Sequence, residues 1–468
     1  MKKVVSTFYC LLFMAITQSV AQREPICLHP DNPHYFKYND RPQILVTSGE
    51  HYGAVLNVDF NFVKYLDELS AHGLNLTRVF TGAYVEPTGA FNIAMNTLAP
   101  AANRYVAPWR RSSQPGFKGG GNKFDLTGWD EQYFNRLKQF ISEAEKRNII
   151  VELTLFCPFY EMKQWLLSPM HPANNINNTP DIGKDSVYTL DHSGALLKFQ
   201  EQLVLKVVTE TNAFSNVILE ICNEPYFGGV TLDWQRHISA LIKGTEQSLP
   251  FKHLISQNIA NDSELIMDPD PNVSVFNFHY ATPPVAVTQN YHLGKVIGDN
   301  ETGFKGQADS TYRKEGWEFI LAGGSLYNNL DYSFAVGYED GSCRYPSKQP
   351  GGGTRTLRTQ LSHLVKFMSD LNYIAMSPDN KFEITAQGTS RMHLLSQRGQ
   401  QYAGYILHGS RATVTLKLPA GTYEVSWLDP VSGKAGSQKT IHQKQTGDVT
   451  LKSPDYEFDI AFSIIRRS

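Results

Sequence analysis

Two glutamates stand where a carboxyl group can do chemistry. Glu224 closes the stretch Val217-Ile218-Leu219-Glu220-Ile221-Cys222-Asn223-Glu224-Pro225. Its apolar start suits a strand buried on both faces, and its proline cannot donate to a strand ladder. Glu301 closes a second such stretch, Lys295-Val296-Ile297-Gly298-Asp299-Asn300-Glu301-Thr302-Gly303. A carboxyl group at the C-terminal tip of a buried strand faces a barrel mouth or a sheet crevice. Burial there raises its pKa and suits it to general-acid work near neutral pH. Taken alone, Glu224 reads equally as a helix cap or the partner of a lysine. Taken together, the two tips meet the requirement for cleaving a glycosidic bond with retention. That reaction needs two carboxyl groups roughly 5–5.5 Å apart, one to protonate the leaving oxygen and one to attack the anomeric carbon.

The chain between and around these tips alternates strand and helix patterns. Strand candidates are Gln43 to Thr47, Leu74 to Phe80, Ile149 to Phe156, the Asn-Glu-Pro strand, His253 to Gln257, Val273 to Phe278, Lys295 to Gly298 and Gly324 to Tyr327. Helical spacing is clear at Phe62, Tyr65, Leu66 and Leu69, over Asp130 to Arg147, and again at Leu196 to Val208, Leu232 to Gln247, Ser310 to Leu321 and Leu357 to Leu371. Eight alternations predict an α/β fold, a (β/α)₈ TIM barrel spanning 22–372, with Glu224 after the fourth strand and Glu301 after the seventh. Connections from helix to strand are short, whereas Thr81 to Trp129, Cys157 to Leu190 and Asn328 to Thr354 are long. Elaboration on that one side is what an enzyme barrel predicts. The segment Glu24 to Arg41 is expected to pack across the bottom. From Lys381 onward the period changes to short alternating runs separated by turn signals, which predicts a small antiparallel β-sandwich over 373–468.

The N-terminus reads as a signal peptide over 1–21: Lys2 and Lys3, an apolar core from Phe8 to Ile16, then Ser19-Val20-Ala21. The expected location is therefore periplasmic or extracellular. The apolar run is too short to span a bilayer, and no later stretch is of that kind. A formal net charge of −2 without a basic tract argues against nucleic acid as partner. No Gly-x-Gly-x-x-Gly follows the first strand, no His/Asp/Glu or Cys spacing matches a metal pattern, and no Gly-x-Ser-x-Gly elbow is present. Neither a cofactor nor a metal is expected. Cys222 reads as a packed thiol in a buried strand.

Asn223-Glu224-Pro225 and Glu301, in this order along a predicted barrel, resemble clan A of the glycoside hydrolases. These retaining (β/α)₈ enzymes include family 5 cellulases and mannanases. Glu220 also fits the Glu-x-x-Asn-Glu-Pro form common there, and the likeness of ordered motifs covers about Ile44 to Leu371. The resemblance implies that Glu224 is the acid/base and Glu301 the nucleophile. It further implies that Asn223 hydrogen-bonds the sugar 2-hydroxyl and that Arg78 keeps the nucleophile ionised. His279 and Tyr280 resemble the clan's His/Tyr pair, whose tyrosine orients the nucleophile. Where family 5 enzymes carry a tryptophan after strand eight, this chain reads Ser325-Leu326-Tyr327-Asn328-Asn329, which makes Asn328 the candidate there.

The long connections carry Tyr84, Phe91, Tyr105, Trp109, Phe117, Trp129, Phe159, Tyr160 and Trp165. Ring faces stack on the apolar faces of pyranoses, so a rim of this kind suits a carbohydrate. Any single one of them also serves as local core for its own loop. Tyr84 and Trp109, together with His51 at the tip of the first strand, are the binding candidates; Glu50 shares that tip. The expected activity is hydrolysis of a poly- or oligosaccharide by double displacement. The rival is a non-catalytic glycan-binding barrel, which would have no need of both carboxyl groups.

Overall fold

The computed structural model describes residues 24–49, 51–345, 349–386 and 391–467. The expected signal peptide and Glu50 lie outside these residues. Eight parallel strands form the barrel: β1 (Leu45–Ser48), β2 (Leu76–Phe80), β3 (Ile150–Phe156), β4 (Val217–Cys222), β5 (Leu254–Asn261), β6 (Val275–His279), β7 (Val296–Thr302) and β8 (Leu326–Asn329). They are hydrogen-bonded in one run from β1 through β8, β7 and onward round to β2. Asn75 bridges the remaining gap between β1 and β2. Its Oδ1 accepts the Val46 N–H at 2.9 Å, and its own N–H donates to the Val46 carbonyl.

The two-residue pleat sorts the barrel interior into layers. One apolar side chain from each strand (Leu45, Leu76, Ile150, Ile218, Leu254, Val275, Val296 and Leu326) joins a floor, closed from below by Ile26, Phe36 and Tyr38 of the N-terminal segment. Two residues further along their strands, Arg78, Glu152, Glu220, Ser256 and Asn277 are buried and hydrogen-bond across the lumen. Gly298 is the contribution of β7 to this polar layer. A Cβ there would lie 2.2 Å from Asn277 Oδ1 and 3.2 Å from Leu326 Cβ, so a larger residue would break into it.

Helices Phe62–Ala71, Glu131–Lys146, Leu196–Thr211, Leu232–Glu246, Asp309–Leu321 and Arg355–Ser369 surround the strands. The second is typical. Asp130 caps it by accepting the Gln132 and Tyr133 N–H groups, and it buries Phe134, Leu137, Ile141 and Ala144 at helical spacing. The alternation departs from eight regular units in two places. Only the short helix Val285–Asn290 follows β6, and no helix separates β5 from β6. That connection holds Pro269 and Pro271 and has no apolar stripe with a helical period. The connection after β2 contains an antiparallel hairpin, Trp109–Pro115 against Asn122–Trp129.

The C-terminal strands, from Ser377–Pro378 to Asp459–Arg467, form a six-stranded and a three-stranded sheet around their own apolar core. The larger sheet also packs on the helix Asp309–Leu321. Trp317 stacks on Tyr405 with ring centres 5.5 Å apart. Arg313 Nη2 lies 2.5 Å from Asp459 Oδ1, both side chains being buried, and the Tyr405 hydroxyl donates to Asp459 Oδ2 at 2.9 Å. Asp459→Ala leaves a buried guanidinium unpaired and is expected to cost about 3–5 kcal/mol in guanidinium-chloride unfolding. Adding Arg313→Met should recover part of that loss. An Asp459→Ala loss within about 0.5 kcal/mol would show that the contact does not hold the two parts together.

Candidate active site

The site is assembled on Arg78, which rises from β2 into the lumen and is fully buried. Its Nε and Nη2 each donate to Glu220 at 2.8 Å, and Nη2 also reaches Asn223 Oδ1 at 2.6 Å. Its Nη1 donates to Glu301 Oε2 at 3.1 Å and to the Tyr52 hydroxyl at 2.6 Å. Tyr52 in turn donates to Glu301 Oε2, while the Tyr280 hydroxyl donates to Oε1 at 2.8 Å. Glu301 therefore has donors on both oxygens and a cation beside it.

Glu224 lies just beyond β4 and is held differently. Its backbone N–H donates to Asn258 Oδ1 at 3.0 Å. Its Oε2 accepts the Tyr160 hydroxyl at 2.5 Å, and Tyr226 reaches Oε1 at 3.4 Å. His279 Nδ1 sits between the two carboxylates, 3.3 Å from Glu224 Oε1 and 3.7 Å from Glu301 Oε1. One oxygen of each carboxylate and a ring nitrogen of His279 lie within 4.8 Å of one another. Burial pushes the Glu224 carboxyl up. The adjacent His279, the Tyr160 hydroxyl and the Arg78 charge outweigh that and hold it below its ordinary value. The upward shift expected from burial alone is thus reversed by the neighbours. Glu224 and Tyr280 both adopt left-handed backbone, at φ 35° and 55°. Side chains with a Cβ rarely do so, and such strain collects where a side chain must be aimed.

Glu224, His279 and Glu301 have the spacing of a cation site. However, the Glu301 oxygens already accept from Arg78, Tyr52 and Tyr280, and the guanidinium opposes a second positive charge.

Above the carboxylates is an open cavity. His51, Tyr84, Asn223 and Tyr280 line it, while Arg78 and His279 support it from beneath. Two binding candidates are not brought there. Trp109 has no exposed surface and lies at the base of the hairpin opposite Trp129, building the core of its own loop. Asn328 is two residues above the floor residue Leu326 and is therefore buried below the mouth. Its Nδ2 donates to the Asn300 carbonyl at 3.0 Å, and its Oδ1 accepts the Gly49 N–H. The apolar lining beyond β8 comes instead from Leu330, Tyr332 and Phe334. Of the other rim aromatics, Phe91 and Tyr160 reach the cavity, whereas Tyr105, Phe117, Phe159 and Trp165 are buried in loop cores.

Tyr52, Glu86, Asn96 and Phe304 also line the cavity and had no role in the sequence reading. Tyr52 was within reach, since it directly follows His51 at a strand tip. Glu86 carried a signal too, because Glu86-Pro87 repeats the Glu-Pro ending of the fourth strand after the second. Asn96 and Phe304 lie in irregular loops, where no period points to them.

Beneath the site, Glu152 accepts from Ser256, Asn277 and Asn300. Burial, and then the charge of Glu220, push it up to about 7. The cysteines of the described residues (Cys27, Cys157, Cys222 and Cys343) are all free thiols, and Cys222 is packed in β4 as expected. No described helix is long and apolar enough to cross a membrane.

An eight-stranded parallel barrel with an antiparallel β-sandwich, and a charged cluster at the C-terminal ends of its strands, defines the class of molecule. No family model matches the chain, and no curated protein matches its sequence. Solved structures do match in fold. A chain titled glycoside hydrolase aligns with TM-score 0.63 at 12% identity, over 95% of this chain and 97% of its own. A glycoside hydrolase family 5 structure from Bacteroides vulgatus aligns at 0.61 and 12%, covering 94% of each chain. A family 5 mannosidase from Rhizomucor miehei aligns at 0.51 and 13%, over 75% of this chain and 100% of its own. At these identities the likeness is one of fold.

Glu152 stays protonated in the folded chain up to about pH 7 but ionises near 4.5 when unfolded. Its contribution to stability is fully present below about 4.5 and is lost as pH rises through about 7. Glu152→Gln should therefore flatten the loss of unfolding free energy between pH 4.5 and 8 by more than about 1 kcal/mol. An unchanged pH profile would place the titration elsewhere.

Proposed function

We propose that the chain is an exported retaining β-glycosidase that hydrolyses a poly- or oligosaccharide. The observation that carries this reading is the approach of the Glu224 and Glu301 carboxylates to within 4.8 Å. So close an approach of one oxygen on each supports direct attack by one carboxylate. The folds it shares belong to proteins titled as glycoside hydrolases, which supports the reaction class. The charged and apolar residues at its N-terminus support export.

In the first step a Glu301 oxygen bonds to the anomeric carbon as the glycosidic C–O bond breaks. Glu224, in the fraction of molecules where it carries a proton, gives that proton to the departing oxygen. Its neighbours hold the carboxyl below its ordinary value, so that fraction falls as pH rises. Arg78, Tyr52 and Tyr280 hold Glu301 in position for attack. The resulting ester removes a negative charge beside Glu224, which then binds a proton less tightly. That change suits its second task, taking a proton from the water whose oxygen bonds to the anomeric carbon and releases Glu301. Phe91, Tyr160 and Phe304 offer ring surface to a sugar at the mouth.

Glu301→Gly should lower turnover by about 10⁴-fold or more and regain it with azide, read as glycosyl azide formed. Unchanged turnover would remove Glu301 from the mechanism. Glu224→Ala should slow a dinitrophenyl glycoside far less than a natural saccharide, since a good leaving group needs no proton; equal slowing of both would argue against Glu224 as the acid. His279 holds the Glu224 carboxyl down. His279→Gln should therefore move the alkaline limb of the kcat/KM profile to higher pH, and an unmoved limb would assign the proton to another group.

A further inference from the structure

The connections after β2 and β8 meet across one end of the cavity. The Ala94 N–H donates to Gln349 Oε1 at 3.1 Å, and the Cys343 thiol lies 3.6 Å from Met95 Sδ. Behind them the Asn61 N–H donates to Glu339 Oε1 at 3.1 Å, which ties the connection after β1 into the same wall. β8, β1 and β2 occupy one side of the barrel, and β4, which leads to Glu224, lies across the mouth. A proton donor must reach the oxygen that departs. The leaving part of a substrate therefore extends over the Glu224 side, where Tyr226 and Phe227 are exposed. The sugar that is retained points at the wall.

On that wall is a carboxyl group the double displacement does not use. Glu86 lines the cavity and is only 7% exposed. Its Oε1 accepts the Tyr84 hydroxyl at 2.9 Å and its Oε2 accepts Asn96 Nδ2 at 2.5 Å, which fixes the carboxyl plane. Burial pushes it up to about 7 against those two hydrogen bonds. Near neutral pH it can thus both donate and accept, which matches a pair of neighbouring sugar hydroxyls.

Resting on the glycosidase reading above, we propose that the cavity is a dead-end pocket for the non-reducing end of a β-linked saccharide, with Glu86 binding hydroxyls of the terminal sugar. The enzyme then removes units of one size from chain ends and does not cut within chains. Blocking the terminal hydroxyls removes the group that Glu86 binds and adds bulk against the wall.

The test uses the full chain and β-1,4-linked gluco-, manno-, galacto- and xylo-hexasaccharides. Each carries a fluorophore at its reducing end and is made with a free or a 4-O-methylated non-reducing end. The expected result is one size of labelled product in the first turnovers of whichever sugar is cleaved, with the capped hexamer slowed at least tenfold. Glu86→Ala should raise KM for the free-ended hexamer at least tenfold while changing kcat less. A ladder of labelled products from the outset, or equal cleavage of capped and free hexamers, overturns the proposal. If no hexamer is cleaved, calorimetric binding of the same pairs judges the pocket by itself. Preference for free ends supports it; equal binding, or binding to none, overturns it.

Discussion

A guanidinium buried in a barrel is the constraint from which the rest of the site follows. Arg78 cannot be left without counter-charge, since an unpaired buried cation costs several kcal/mol. Glu220 supplies a two-point pairing from β4, and Glu301 supplies the remaining negative charge from β7. Glu220 must itself be satisfied, and it accepts further hydrogen bonds from Thr154, Asn258 and Asn300. Five strands are thereby tied to one cation. The apolar floor below and the loops above keep water from competing for these bonds, which strengthens each of them.

The same constraint makes the two carboxylates unlike. Glu301 is surrounded by donors that restrict its rotation. Glu224 has an imidazole that it shares with Glu301 and a tyrosine hydroxyl from a loop. The left-handed backbone at Glu224 and Tyr280 aims both side chains at the gap between strand tips, and the packed strands on either side hold that strain.

The barrel and the pair of strand tips were legible in the sequence because both depend on local rules. Buried parallel strands read as apolar runs, and the carboxylates at the cavity sit where such runs end. The pleat is equally decisive at β8. Counting in twos from Leu326 puts Asn328 in the buried layer, below any ligand. Trp109 failed for another reason: a connection of nearly fifty residues (81–129) must build its own core, and its largest ring was used for that. Asn96 and Phe304 reach the cavity through loop geometry, which no periodicity encodes. The absence of a helix between β5 and β6 is legible in the two prolines of that connection.

The sequence divides near residue 372 into two patterns, yet the apolar clusters do not divide there. Leu395, Ala403, Tyr405, Leu407 and Ala461 of the larger sheet belong to the same contiguous core as the barrel. The outer surface of the Asp309–Leu321 helix is thus an interior surface. What looks like an appended module is one wall of the enzyme's body, so a chain cut at that boundary would bare a greasy face on each fragment. Exchange of such sheets between barrels by recombination would require the helix beneath to change with them.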